Sequence, residues 1–100
     1  MREILLSKRA SNKLEKLLEY LELEWSLKVK KAFIGKLDTA FAQISKYPDS
    51  APKSDSVKGL HRFVISKQTT MYYKYDSKSI KIVTFFDTRM NPKRLKKDTE

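Results

Sequence analysis

The sequence contains no cysteine. That excludes a disulfide framework and any thiolate metal site. A single histidine in 100 residues also argues against a histidine-rich metal centre, so neither metal nor cofactor is expected. Glycine and proline number only two and three, and three of these five, Pro48, Pro52 and Gly59, punctuate one polar stretch. No apolar run approaches the length that spans a membrane. The N-terminus passes straight from Glu3-Ile4-Leu5-Leu6 into charged residues, without a leader pattern. A soluble cytoplasmic protein with no membrane partner is the expectation, organised as one domain over residues 1–100.

What the sequence has in excess is positive charge. The formal net charge is +10 and the pI is near 9.8. Residues 1–50 carry 10 Lys/Arg against 7 Asp/Glu, and residues 51–100 carry 12 against 5, so most of the excess lies in the second half. Such a field favours encounters with polyanions or acidic protein surfaces. The simpler alternative is solubility alone.

Forty per cent hydrophobic residues suffice for one modest core. Arg2 to Leu6 reads as a short strand. Ser7 then supplies a helix cap, and Ala10, Leu14, Leu17, Leu18, Leu21 and Trp25 recur at helical spacing. Ser26 is a second cap. Val29, Phe33, Leu37, Ala40, Phe41 and Ile44 form the next stripe, which stops at Tyr47-Pro48. The short break between the stripes predicts an antiparallel helical hairpin. Both stripes are expected in the core. Gly35 inside the second helix is a place where another backbone could approach.

Residues 48–59, PDSAPKSDSVKG, are a loop. Three strands follow: Leu60 to Ser66, Thr69 to Tyr75, and Ile80 to Phe86, the last two joined by the turn Asp76-Ser77-Lys78-Ser79. The expected architecture is α+β: an N-terminal strand, a two-helix antiparallel hairpin, then a three-stranded antiparallel sheet packed against the helices. Strict alternation in the last strand puts Ile80, Ile82, Thr84 and Phe86 on one side. Lys81, Val83, Phe85 and Asp87 go on the other. One side meets the helices, and the other is expected to be partly open.

The final strand runs into TFFDTRMNPKRLKK, residues 84–97. Asp87 and Arg89 fall two apart in an extended segment, on one side of it. Arg89 is therefore either a clamp for phosphate or an acidic surface, or the ion-pair partner of Asp87. Lys93, Arg94, Lys96 and Lys97 make a basic tail that could reach RNA, DNA or protein; a frayed terminus is the plain alternative. His61 and Arg62 are neighbours and so point to opposite faces of their strand. Tyr73 and Tyr75 share a face and Tyr72 takes the other, a pattern suited to core or interface packing.

Over nearly its whole length the chain resembles the RelE/ParE toxins of bacterial toxin–antitoxin systems. The resemblance rests on the opening strand, the helix with Ala10, Leu14 and Tyr20, and the Trp25 joint. It continues through Pro48, Lys58-Gly59-Leu60 with Arg62, Tyr72-Tyr73-Lys74-Tyr75, and Phe86-Asp87-Thr88-Arg89-Met90-Asn91-Pro92. It implies a basic toxin neutralised by a cognate acidic antitoxin. ParE-like members poison DNA gyrase; RelE-like members cut mRNA in the ribosomal A site. For the second activity the resemblance gives Arg62 and Arg89 catalytic positions, with His61, Lys93, Arg94, Lys96 and Lys97 as target or nucleic-acid contacts. The chain departs from the ribonuclease pattern at Thr70 and Val64, where basic residues are expected. No tyrosine or histidine follows Arg89. A ParE-like inhibitor of gyrase and replication is accordingly the leading expectation. A ribosome-dependent mRNA endonuclease is the alternative, and a non-toxic binding module the third.

Overall fold

The computed structural model describes residues 2–55, 57–89, 94, 95 and 99. The elements run β1 (Glu3–Leu6), α1 (Lys8–Glu24), α2 (Leu27–Lys46), β2 (His61–Ser66), β3 (Thr69–Tyr75) and β4 (Ser79–Asp87). The fold is α+β, as the hydrophobic periodicities predict. Both serine caps form. The Ser7 hydroxyl accepts from the Ala10 N–H at 3.0 Å and the Ser26 hydroxyl accepts from the Val29 N–H at 3.1 Å.

The sheet has four strands in the order β1-β4-β3-β2. The antiparallel β2-β3-β4 meander matches expectation. The addition is β1, which lies parallel to β4 in the register Ile4 opposite Ile80 and Leu6 opposite Ile82. Parallel pairing between strands more than 70 residues apart leaves no local signature, so the sequence shows β1 but not its partner.

A bulge corrects the expected faces of β4. Tyr72 pairs with Thr84 but Tyr73 pairs with Ile82, which makes Val83 the extra residue. The side-chain alternation inverts there. Ile80, Ile82 and Phe85 consequently face the helices, while Val83 and Phe86 face away. The Val83 carbonyl is used by the helix cap: the Ser7 hydroxyl donates to it at 2.7 Å.

The main core lies between the hairpin and the sheet, built from Phe33, Leu37, Ala40 and Ile44 of α2 against Met71, Tyr73, Ile80, Ile82 and Phe85. From α1 only Ala10 is fully buried, with Leu14, Leu17, Leu18 and Leu21 half-buried. Two members of the expected stripes are not core. Trp25 is 67% exposed and Val29 is 38% exposed, although their spacing fits the stripes. A methyl group added at Gly35 would meet nothing within 4 Å, so no backbone presses on that glycine.

The opposite face of the sheet carries a second, smaller cluster of Leu60, Tyr72, Phe86 and Leu95, with Val57 and Val83 beside them. Leu95, from the C-terminal segment, is 2% exposed. That face is thus partly covered by the chain's own tail. The loop before β2 also folds back along it: the Arg62 N–H donates to the Pro52 carbonyl at 2.9 Å, and the Ser54 N–H to the Leu60 carbonyl at 2.7 Å. This pairing shields the first half of an otherwise open edge strand. Among the described residues, no helix is long and apolar enough to cross a membrane.

Candidate functional site

Arg89 leaves the end of β4 already engaged. Its Nη2 donates to Asp87 Oδ2 at 2.7 Å and its Nε to Asp87 Oδ1 at 3.0 Å, and its backbone N–H donates to Oδ1 at 2.9 Å. The side-chain bonds form the two-pronged fork that an arginine makes with a carboxylate, and the backbone bond closes an Asx turn. They hold the Asp87 carboxyl below its ordinary range and raise the guanidinium in turn. Next door, the Thr88 N–H donates to the Gln68 carbonyl at 3.0 Å, which ties the strand's end to the β2–β3 turn. The Arg89 side chain is 61% exposed, so the fork orients a cation that still faces solvent. Tyr20 of α1 lies near Arg89.

Arg62 stands elsewhere. It is exposed on β2, opposite Tyr72 in register, on the sheet face away from the helices. Burial raises the Tyr72 hydroxyl's pKa and the Arg62 charge opposes that rise. From strand spacing and rise, Arg62 and Arg89 are two strands and about five residues apart, roughly 15 Å or more. Arg89 is held instead by the Asp87 carboxylate.

His61 is buried on the other face, among aromatics. Its ring stacks on Tyr73 at 5.3 Å between centroids and tilts toward Tyr75 at 5.5 Å. Its Nδ1 lies 2.8 Å from the Ala51 carbonyl, an oxygen that can only accept, so Nδ1 carries the proton. The Tyr73 hydroxyl donates to the Pro48 carbonyl at 2.7 Å, and the Tyr75 hydroxyl donates to Asp49. Burial pushes the Tyr73 hydroxyl up to about 12, against a smaller opposing effect of the Ala51 backbone. The cluster pins the loop after α2 to the sheet. It places His61 in a structural setting rather than on a surface that a target could reach.

Of the basic tail, Arg94 is helical and exposed, beside the buried Leu95. Lys93, Lys96 and Lys97 lie outside the described residues. Among the described residues, no three His, Asp or Glu side chains gather as a metal site.

Two surfaces escaped the sequence reading. The hairpin's tip displays Leu23, Trp25 and Leu27 at 71, 67 and 49% exposure, an apolar group where a solvated turn is usual. The spacing of Trp25 fits a core stripe, so periodicity alone does not set it apart from one. The first half of α1 presents Lys8, Arg9, Asn12, Lys13 and Lys16 around one shallow depression. That row was readable as a run without an acid between Glu3 and Glu15.

The model of the ParE toxin of type II toxin–antitoxin systems (parDE) matches residues 4–92. No curated protein sequence matches the chain. Among solved structures the chain is similar to one of the chromosomal ParDE system from P. aeruginosa, with a TM-score of 0.71 at 10% identity. That alignment covers 87% of this chain and 96% of the other. It is similar to the YoeB dimer from Staphylococcus aureus, with a TM-score of 0.60 at 17% identity, covering 85% and 94%. The DinJ-YafQ complex of E. coli also scores 0.60 at 17% identity, covering 89% and 96%. At these identities the likeness is one of fold.

Proposed function

This chain belongs to the ParE toxin family of type II toxin–antitoxin systems, and on that premise we propose that it stops growth by a ParE-like route. In this reading it inhibits DNA gyrase, and with it replication, in the cytoplasm. A cognate antitoxin, acidic where it meets the toxin's basic surface, neutralises it.

The observation that carries the choice between routes is the separation of Arg62 from Arg89. In-line cleavage of RNA needs a base, cationic stabilisation of the developing charge and an acid around one phosphate. Here Arg62 lies on β2 and Arg89 beyond the end of β4, Arg89 is forked onto Asp87, and the His61 imidazole is buried against Ala51. The apolar hairpin tip adds support, because exposed tryptophan and leucine suit contact with a protein. The ribosomal reading draws on the exposure of Arg62 and the basic residues around the final strands.

The test is induced expression in bacteria without the neighbouring gene, with protein, RNA and DNA synthesis followed separately. Arrest of DNA synthesis with filamentation, and loss of supercoiling by purified gyrase, are expected. A rapid stop in translation with fragmented mRNA would replace this reading with the ribonuclease one. Normal growth with folded protein present would leave a binding module.

A further inference from the structure

Residues 21–31 read LELEWSLKVKK. Apolar residues alternate with acids up to Trp25 and with lysines after Ser26. Such alternation does not suit a helix: residues two apart lie about 200° apart around its axis and cannot share one face. Leu21 is half-buried, and Leu23 is accordingly 71% exposed. Trp25, Leu27 and Val29 are exposed as well, and so is Tyr20, which lies one turn before Leu23. The turn that carries these side chains is tightly bonded. The Trp25 and Ser26 N–H groups both donate to the Leu21 carbonyl, at 3.2 and 3.0 Å, and the Ser26 hydroxyl caps α2. Lys30 and Glu22 form an ion pair of 3.5 Å between the two helices. Apolar side chains displayed on a turn held this firmly lose little backbone freedom when another surface covers them.

The charges around this tip change sign at Ser26. Glu19, Glu22 and Glu24 lie on the α1 arm, and Lys28, Lys30 and Lys31 on the α2 arm. The last turn of α1 holds no base, and the first turn of α2 holds no acid. The tip is therefore neutral as a whole, in a chain of net charge +10. A partner of one sign, whether nucleic acid or a uniformly acidic protein, is attracted by one arm and repelled by the other. A surface that matches both arms is itself acidic on one side, basic on the other and apolar between. This chain's own tip is such a surface. A two-fold axis normal to the plane of the hairpin, passing beside Trp25, sets the α1 arm of one copy against the α2 arm of the other, twice over. Elsewhere two such basic chains repel each other.

We propose that the hairpin tip joins two copies of this chain, with Trp25 of each at the centre and Glu19 and Glu24 of one copy facing Lys28 and Lys31 of the other. An apolar centre inside a charged rim is the ordinary anatomy of a protein interface. The exposed apolar side chains offer a few hundred Å² per copy, so the contact lies below the roughly 1,200 Å² of a standard stable interface. The dimer is accordingly weak, with a dissociation constant on the order of 10–100 µM. This inference goes beyond the gyrase reading and does not rest on it.

The test is sedimentation of the full chain over a concentration series from about 5 to about 500 µM, which brackets that constant. The mass should rise from 11.8 kDa toward twice that value. Trp25 is the sole tryptophan, so its emission should move to shorter wavelength over the same range as it leaves water. Trp25→Ser should stay monomeric at every concentration and melt with the wild type, because the side chain it removes is exposed. Two charge-reversed variants, E19K/E24K and K28E/K31E, change only exposed positions and keep the Glu22–Lys30 pair. Lysine near the end of α1 and glutamate near the start of α2 agree with the helix dipoles, so both variants should fold at least as well. Each alone should be monomeric. Mixed in equal amounts, they should form a heterodimer as tight as the wild-type dimer. A wild type that stays monomeric throughout would overturn the proposal and leave the tip to a different protein, the antitoxin or the target. A Trp25→Ser variant that dimerises like the wild type would place the interface elsewhere, which also overturns it. A mixture of the two reversed variants that stays monomeric would sink the pairing of the arms, and with it the choice of a second copy. No measurement here involves gyrase or growth arrest, so the functional reading stands or falls separately.

Discussion

The hydroxyl of Ser7 donates to the carbonyl of Val83 at 2.7 Å while accepting from the backbone N–H of Ala10 at 3.0 Å. One side chain therefore caps α1 and satisfies the bulged residue of β4, 76 positions away. Ser7→Ala loses both functions. A cap is worth about 1 kcal/mol, and a part-buried carbonyl left without its donor costs about 1 kcal/mol more. Ser26→Ala removes a cap on the exposed turn and should cost only the first amount. Urea unfolding of the two variants checks the contrast, and Ser7→Thr should recover most of the loss. Equal costs for Ser7→Ala and Ser26→Ala would mean that the bulge does not depend on the serine.

The same pair of residues shows what a sequence can reveal and what it conceals. The cap was legible, because a serine before an apolar stripe has a local physical cause. The bulge was not, because one extra residue in a strand leaves the run of β-formers unchanged while reversing every face beyond it. Phe85 and Phe86 therefore exchanged places relative to strict alternation. Trp25 misled for the opposite reason: its spacing is helical and apolar, but its exposure is a tertiary fact. Of the site, the Asp87–Arg89 pair was visible as one of two alternatives, since two residues apart on an extended segment is a local relation. The distance between Arg62 and Arg89 depends on strand order, which composition does not encode.

Asp87 and Arg89 can be separated by experiment. If the fork only holds the strand's end, Asp87→Asn and Arg89→Ala should behave alike. If Arg89 contacts a partner, Arg89→Ala should abolish growth arrest while Asp87→Asn leaves it intact. The second pattern is expected, with little loss of stability in either variant, because the pair is largely exposed. The sign with pH follows from the depressed Asp87 carboxyl. Its contribution is present above the unfolded carboxylate's value near 3.9 and is lost as pH falls through the lower folded value. Any stability gap between wild type and Asp87→Asn at pH 7 should therefore close in strong acid. A gap that persists there would point to a cost other than charge.

Tyr73 should set part of the alkaline limit. In the unfolded chain its hydroxyl ionises near 10, and in the folded protein it stays protonated to about 12. The unfolded state releases its proton first, so stability is complete below pH 10 and falls as pH rises toward 12. Two pH units correspond to a loss on the order of 2 to 3 kcal/mol. Tyr73→Phe has no such hydroxyl. It should be about 1 kcal/mol less stable at pH 7, where the Pro48 carbonyl loses its donor, and less steep in its decline above pH 10. Parallel alkaline slopes for the two proteins would show that Tyr73 is not the group responsible.

Leu95, among the described residues of the C-terminal segment, packs against the sheet. It is 2% exposed and sits on Leu60, Tyr72 and Phe86, the face left free by the helices. Leu95→Ala removes the buried side chain from a small cluster, and a loss of about 2 to 3 kcal/mol is expected. The cluster is separate from the main core, so the loss should first appear as release of the tail rather than as global unfolding. Tyr72 reports this directly. Burial raises its hydroxyl's pKa, and undocking Leu95 should bring it back toward the ordinary tyrosine value in a spectroscopic titration. Hydrogen exchange in β3 around Tyr73 should change much less. If the tail's charges act on the target, the same substitution should weaken growth arrest while the melting temperature of the main core is retained. An unchanged Tyr72 titration would mean that the tail stays seated without its leucine.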